Sequence, residues 1–254
     1  MLSSLTTNFI GRLKASDQAA WFELWETFGP VVRAQLTRWG KGRIGSETVR
    51  DLSQETLAAL SESIDRFDPT RGARFSTWLL AIAKHVLGDE MDRRMALKRG
   101  GRRTFAELDE SWMAVSPNAQ ADAAYEAAVF RAKVEAAIRL VQKESDFLDF
   151  SIFGMRVLEG KSGKDVAAAI GTSEPTVSRR LAKVRDALRQ RLAEVIATYS
   201  FTEEEREEAA RNGLLITPKQ DPGVADDAMF DEAIGEIYHR QMELRRQDQA
   251  ARLV

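Results

Sequence analysis

Residues 160–192 read GKSGKDVAAAIGTSEPTVSRRLAKVRDALRQRL. Val166, Ala167 and Ile170 fall on one face of a short helix, and Val177, Leu181, Val184 and Leu188 recur at three- and four-residue spacing along a longer one. Gly171-Thr172-Ser173 supplies the turn between them. Glycine suits a left-handed backbone there, Ala167 is small enough for the helices to approach closely, and Pro175 falls in the first turn of the second helix, where its missing amide costs little. The pattern predicts a helix-turn-helix. The outer face of its second helix carries Glu174, Thr176, Ser178, Arg179, Arg180 and Lys183, then Arg185, Arg189 and Arg191. Side chains near the N-terminus of such a helix can reach base edges in the major groove, while flanking Arg and Lys hold phosphates and set register.

Upstream, Asp17 precedes Trp21, Leu24, Trp25, Phe28, Val31, Val32, Leu36 and Trp39 at helical spacing, which predicts one or two helices with an aromatic stripe. A glycine-containing break over 39–45 ends that unit. Val49, Leu52, Thr56, Leu60, Ile64 and Phe67 share one face of the next helix. Asp68-Pro69-Thr70-Arg71-Gly72 must stop it, because proline lacks an amide donor and glycine tolerates the turn. A third helix is expected from Ser76, as its N-cap, to about Met95, with Trp78, Leu79, Ile82 and Val86 inward and a basic cluster, Arg93, Arg94, Lys98, Arg99, Arg102 and Arg103, at its end. Residues 100–120 show no convincing period and read as a linker; helix resumes over 121–141 and 147–158.

The 254 residues, 44% of them hydrophobic, can bury a sizeable core in one large or two small domains. Frequent Ala, Leu, Glu and Arg, with no sustained alternation of apolar and polar residues, predict an all-α chain. The expected division is two small helical domains, 1–99 and 121–199, joined by the linker 100–120 and followed by a helical C-terminal extension, 200–254. With no Cys, a disulfide framework and a thiolate metal site are excluded, and a reducing compartment is compatible. Residues 1–14 lack the apolar run of a signal peptide, and the longest apolar run, 78–83, is too short to cross a bilayer. A cytoplasmic location without membrane insertion is the expectation. A net charge of −2 argues against strong unaided DNA binding, since nonspecific affinity comes from cations displacing counterions along the phosphates.

Enzyme chemistry has little support. The two histidines, His85 and His239, lie far apart, no glycine-rich loop could cradle a phosphate, and the carboxylates sit on amphipathic helix faces without an evident basic partner. No catalytic residue, metal site or cofactor is expected. Asp51, Gln54 and Glu55, by contrast, form one exposed polar ridge on the second long helix.

That ridge belongs to a longer pattern. The run Asp51-Leu52-Ser53-Gln54-Glu55-Thr56-Leu57, followed by Arg66-Phe67-Asp68-Pro69, Phe75-Ser76-Thr77-Trp78-Leu79, Ile82-Ala83-Lys84 and Asp89 with Arg93-Arg94, resembles region two of the extracytoplasmic-function (ECF) group of bacterial sigma-70 family sigma factors. Leu158-Glu159-Gly160, Val166-Ala167, Ile170-Gly171, Ser173, Thr176-Val177, Arg180-Leu181, Lys183 and Arg185 are similar to region four. Together the two stretches cover roughly Asp17 to Leu192.

The resemblance implies a chain that binds core RNA polymerase and promoter DNA and helps open it, with an anti-sigma factor or other regulator as a further partner. Asp51, Gln54 and Glu55 would meet the polymerase. Arg71, Arg74, Phe75, Ser76, Thr77, Lys84, His85, Arg93 and Arg94 would face the minus-ten element, with Trp78 in the core. Glu174, Thr176, Ser178, Arg179, Arg180 and Lys183 would face the minus-thirty-five element. The chain departs from the family pattern at His85, where Asn is common, and over 149–154, where a run of Arg or Glu is usual. A helix-turn-helix repressor or activator acting apart from polymerase is the alternative reading.

Beyond residue 200 the pattern gives no family guidance. Thr202 with Glu205 is a capping-box signal, Asn212-Gly213 a helix stop, and 226–252 a last helix with Phe230, Ile234, Ile237, Tyr238 and Met242 on one stripe. Two readings of the stripe stay open: it packs on the chain's own helices, or it docks reversibly as a regulatory element. The acidic cluster Glu203, Glu204, Glu205, Glu207 and Glu208, close in sequence to the basic helix, is expected to screen it.

Overall fold

Asp17 opens the first long helix by accepting from the amides of Ala19 at 2.9 Å and Ala20 at 3.3 Å, filling two donors that a helix start leaves without partners. The computed structural model describes residues 4–67, 74–98, 123–200, 202–214 and 224–251, and among them every regular element is helical, as an all-α chain requires. The chain divides into two compact units, Met1–Val129 with Ser200–Thr202, and Phe130–Tyr199 with Glu203–Val254. The expected linker, 100–120, lies outside the described residues. No described helix is long and apolar enough to cross a membrane.

The first unit holds α1 (Ser4–Lys14), α2 (Gln18–Gly40), α3 (Ser46–Ser63), a 3-10 turn (Ile64–Arg66) and α4 (Phe75–Lys98). α2 is a single helix, and its Leu24, Phe28, Val32 and Leu36 pack with Leu52 and Leu60 of α3 and Leu79 and Ile82 of α4 in the core. Phe75 and Trp78 close this core from α4. The Trp78 ring stacks on Phe67 with centroids 4.6 Å apart, and Phe75 meets Phe28, Phe67 and Trp78 at 5.9, 5.7 and 5.8 Å. α1, which the sequence pattern did not reveal, buries Phe9, Ile10 and Leu13, and its Leu13 carbonyl accepts from the Trp21 indole at 3.1 Å. α4 starts at Phe75, one residue earlier than expected. Ser76 is therefore not its N-cap but its second residue, buried, with its hydroxyl 3.4 Å from Glu126 Oε1.

The second unit takes α5 (Ala123–Glu144) from Phe130 onward, α6 (Phe147–Phe153), α7 (Gly163–Ile170), α8 (Glu174–Tyr199), the short α9 (Glu203–Arg206) and α10 (Glu208–Arg211), and α11 (Val224–Ala251). Ser162 caps α7 by accepting from Asp165 N at 3.1 Å, and Gly171 ends it at φ 67°, ψ 40°, the left-handed turn expected of a glycine there. The helix expected over 147–158 is not uniform. After Phe153 it widens into a five-residue π-turn, Gly154–Leu158, closed by Glu159 N donating to Gly154 O at 2.9 Å.

α11 packs on this π-turn. Gly235 makes the approach possible, since a Cβ there would stand 3.2 Å from the Val157 carbonyl oxygen. Phe230 and Ile234 are 0% exposed, so the first part of the stripe is buried within its own unit, whereas Ile237, Tyr238 and Met242 are half-buried. Nearby, Lys133 of α5 is buried between Glu205 at 3.7 Å and Glu208 at 3.8 Å, which ties α9 and α10 to α5. We predict that Ile234→Ala in the full chain costs about 2–5 kcal/mol, the usual range for emptying a buried aliphatic site. Urea unfolding followed by hydrogen exchange checks this: α11 amides should lose protection while those of α2 to α4 keep theirs.

Candidate nucleic-acid and protein interfaces

The α3 ridge follows from helix geometry. Leu52, Ser53, Thr56 and Leu60 take the buried face, which leaves Asp51, Gln54 and Glu55 exposed and adjacent on the other. Arg93 of α4 lies within electrostatic reach of Glu55. Its charged form is favoured first by the hydrogen bond it donates to Glu90, then by the attraction of Glu90 and of Glu55. The ridge is thus bordered by a cation from the neighbouring helix.

The minus-ten candidates separate by burial. Arg71 lies outside the described residues. Phe75 and Ser76 are each 1% exposed and offer no surface here, because starting α4 at Phe75 places Phe75, Trp78, Leu79 and Ile82 on its inner face. Arg74 donates to Glu126 at 2.9 Å, and the buried Tyr125 hydroxyl donates to the Ser76 carbonyl at 2.8 Å. Thr77 is half-buried and Lys84 is exposed. His85 is half-buried, with Nε2 3.3 Å from Asp89 Oδ2. Arg93 and Arg94 both grip the buried carboxylate of Glu90, and Arg94 also donates to Arg43 O at 3.0 Å and Thr48 Oγ1 at 2.9 Å. Arg94 therefore braces α4 against the connection between α2 and α3.

In the second unit α6 and α7 both pack on α8, with Val177, Leu181, Val184, Leu188, Leu192 and Val195 as its buried stripe. Glu174, Ser178, Arg179 and Lys183 are exposed, and Thr176 and Arg180 are partly so. One edge of α8 faces α6, where Asp149 is 3% exposed and bonded to both Arg180 and Lys183. The other edge faces α11. Asp227 and Asp231 take Arg185, Asp227 also takes Arg189 at 2.7 Å, and the Arg189 guanidinium lies 4.5 Å from the Phe230 ring centroid.

These three aspartates carry the screening that the sequence had assigned to the acidic cluster. Glu205 and Glu208 turn to Lys133, and Glu203 pairs with Arg206, so those carboxylates are engaged elsewhere. Asp149 was visible in sequence only as a departure from a family pattern, and its partners lie 31 and 34 residues away.

Residues 24–96, from Leu24 in α2 to Ala96 in α4, match the sigma-70 region 2 family. The chain is also similar to the probable RNA polymerase sigma-C factor of Mycobacterium bovis and to the ECF RNA polymerase sigma factor SigC of Mycobacterium tuberculosis. Each is 32% identical over 141 residues, which cover 54% of this chain and 66% of the relative. The chain thus spans just under two thirds of the length of these curated relatives.

The Asp149 contacts set a pH dependence. The hydrogen bond from Lys183, with that from Arg180, outweighs the opposing effect of burial and holds the carboxyl below its ordinary value of 3.8. A carboxyl depressed in the folded state stabilises the fold above its unfolded pKa, and that contribution is lost as pH falls through the folded value. The stability difference between the native chain and Asp149→Asn should therefore be flat above about pH 5 and shrink below about pH 4. Urea titrations across that range measure it.

Proposed function

We propose that the chain acts as an ECF sigma factor of the sigma-70 family, binding core RNA polymerase, recognising promoter DNA and helping to open it, on the strength of its region 2 match and its similarity to the two sigma-C factors. The observation that carries this reading is the coincidence, in one chain, of a region 2 match over the α2 to α4 bundle with a helix-turn-helix of basic outer face. In this reading 1–99 serves as region 2, 121–199 as region 4, and 200–254 as an extension that completes the core around α8. A helix-turn-helix regulator acting apart from polymerase accounts for α7 and α8 but leaves the region 2 match without a purpose.

The α3 ridge is the polymerase-binding surface. Asp51 and Glu55 suit a cationic partner because exposed carboxylates steer association and pair with arginine, and Gln54 adds a neutral hydrogen bond. Lys84, Arg93 and Arg74 are the cations on or next to α4 that meet the minus-ten strand, with Thr77 and His85 beside them. For Arg74 to hold a phosphate it must exchange Glu126 for it. Unstacking a base costs a few kcal/mol, which new contacts must offset. Phe75 and Trp78 contribute from behind by fixing α4. The minus-thirty-five surface is the exposed face of α8, from Glu174 to Lys183. A protein covering the α3 ridge or that face would act as an antagonist, the role of an anti-sigma factor.

Reconstitution with core RNA polymerase, followed by mapping of transcript starts, tests the proposal: initiation at a defined set of promoters is expected, and none at all would overturn it. In a titration of labelled core enzyme, the double variant Asp51→Lys, Glu55→Lys should bind about 10- to 100-fold more weakly, with its helix content unchanged.

A further inference from the structure

Arg179 and Arg180 are neighbours in sequence but not in surroundings. We propose that Asp149 divides their roles: it holds Arg180, together with Lys183, as positioning residues that fix how α8 is presented, and leaves Arg179 as the residue that reads a base edge, a guanine, in the minus-thirty-five element. The assignment rests on the proposed role of α8 as recognition helix.

The geometry separates the two arginines. At ~100° per residue, Arg179 points roughly 180° from the centre of the buried stripe of α8, straight outward, whereas Arg180 points roughly 80° from it, along the edge facing α6. Asp149 is buried there, and its two oxygens are divided between Arg180 Nη1 at 2.5 Å and Lys183 Nζ at 2.8 Å. A buried carboxylate is tolerated only while it is paired, so drawing Arg180 away to a base would leave that charge with half its partners. Arg179 faces no such constraint. It donates a single long hydrogen bond, 3.4 Å, to Thr176 Oγ1 one turn earlier, which lays it along the outward face.

The remaining cations of α8 point the same way. Arg180 and Lys183 pair with Asp149, Arg185 with Asp227 and Asp231, Arg189 with Asp186 and Asp227, and Arg191 with Glu144 and Glu194. Among the described residues Arg179 is the one cation of this helix in no ion pair. Its guanidinium fork matches the O6 and N7 acceptors of guanine, the commonest specific contact of an arginine in the major groove.

The test uses the full chain with core RNA polymerase on duplex templates randomised across the minus-thirty-five region, sequencing the templates that are transcribed. Arg179→Ala should abolish a guanine preference of about tenfold or more at one position, with helix content and melting temperature unchanged. Arg180→Ala and Asp149→Asn should lower output severalfold on all templates alike, keeping the base preference, and Asp149→Glu should restore most of the output. If Arg179→Ala leaves the preference intact, or if Arg180→Ala or Asp149→Asn erases it at a single position, the assignment falls while the sigma-factor reading stands. If the native chain transcribes no template, the sigma-factor reading fails and the assignment with it.

Discussion

The Asp149 carboxylate sits against α8 with Arg180 on one oxygen and Lys183 on the other. A buried charge in that position could not be left alone. The opposite edge of α8 repeats the arrangement with Asp227 and Asp231 around Arg185 and Arg189. Between these edges the apolar stripe from Val177 to Tyr199 has only to be covered, and α6 and α7 pack against it. The long helix is held by charge on two sides and by burial on a third, which leaves one face for a partner.

The first unit reaches a comparable end by other means. Its fixed point is the aromatic cluster of Phe28, Phe67, Phe75 and Trp78, which joins α2, the end of the α3 segment and the start of α4. At the far end of α4, Glu90 gathers Arg93 and Arg94, and Arg94 reaches back to Arg43 and Thr48. The α3 ridge and the exposed cations of α4 are carried on helices pinned at both ends.

What could be read from the sequence was what local spacing encodes. The three- and four-residue recurrence of Leu52, Thr56 and Leu60 and the Gly171 turn are properties of a few consecutive residues, and each stands in the structure as expected. Trp78 lies in the core, as its place beside Leu79 and Ile82 implied. α1 escaped notice because eleven residues with Thr6 among the buried positions give little apolar period. The start of α4 was misplaced because a serine before an apolar run looks like a cap, whereas Phe75 has a better position in the aromatic cluster. The ion pairs that shape α8 join residues 31 to 46 positions apart. No periodicity reports such pairs, so the acidic cluster nearest in sequence drew an expectation that the more distant Asp227 and Asp231 fulfil.

The internal pairing of α8 also bears on how such a helix would locate its target. Attraction to arbitrary duplex grows with the number of cations able to displace condensed counterions. On this helix most of that capacity is already satisfied by the protein's own carboxylates. If the chain acts as proposed, it would dwell briefly on the great excess of irrelevant sequence, and its search would be governed by the assembly that carries it rather than by its own sliding. Selectivity would then be gained by weakening every wrong encounter, not by strengthening the right one.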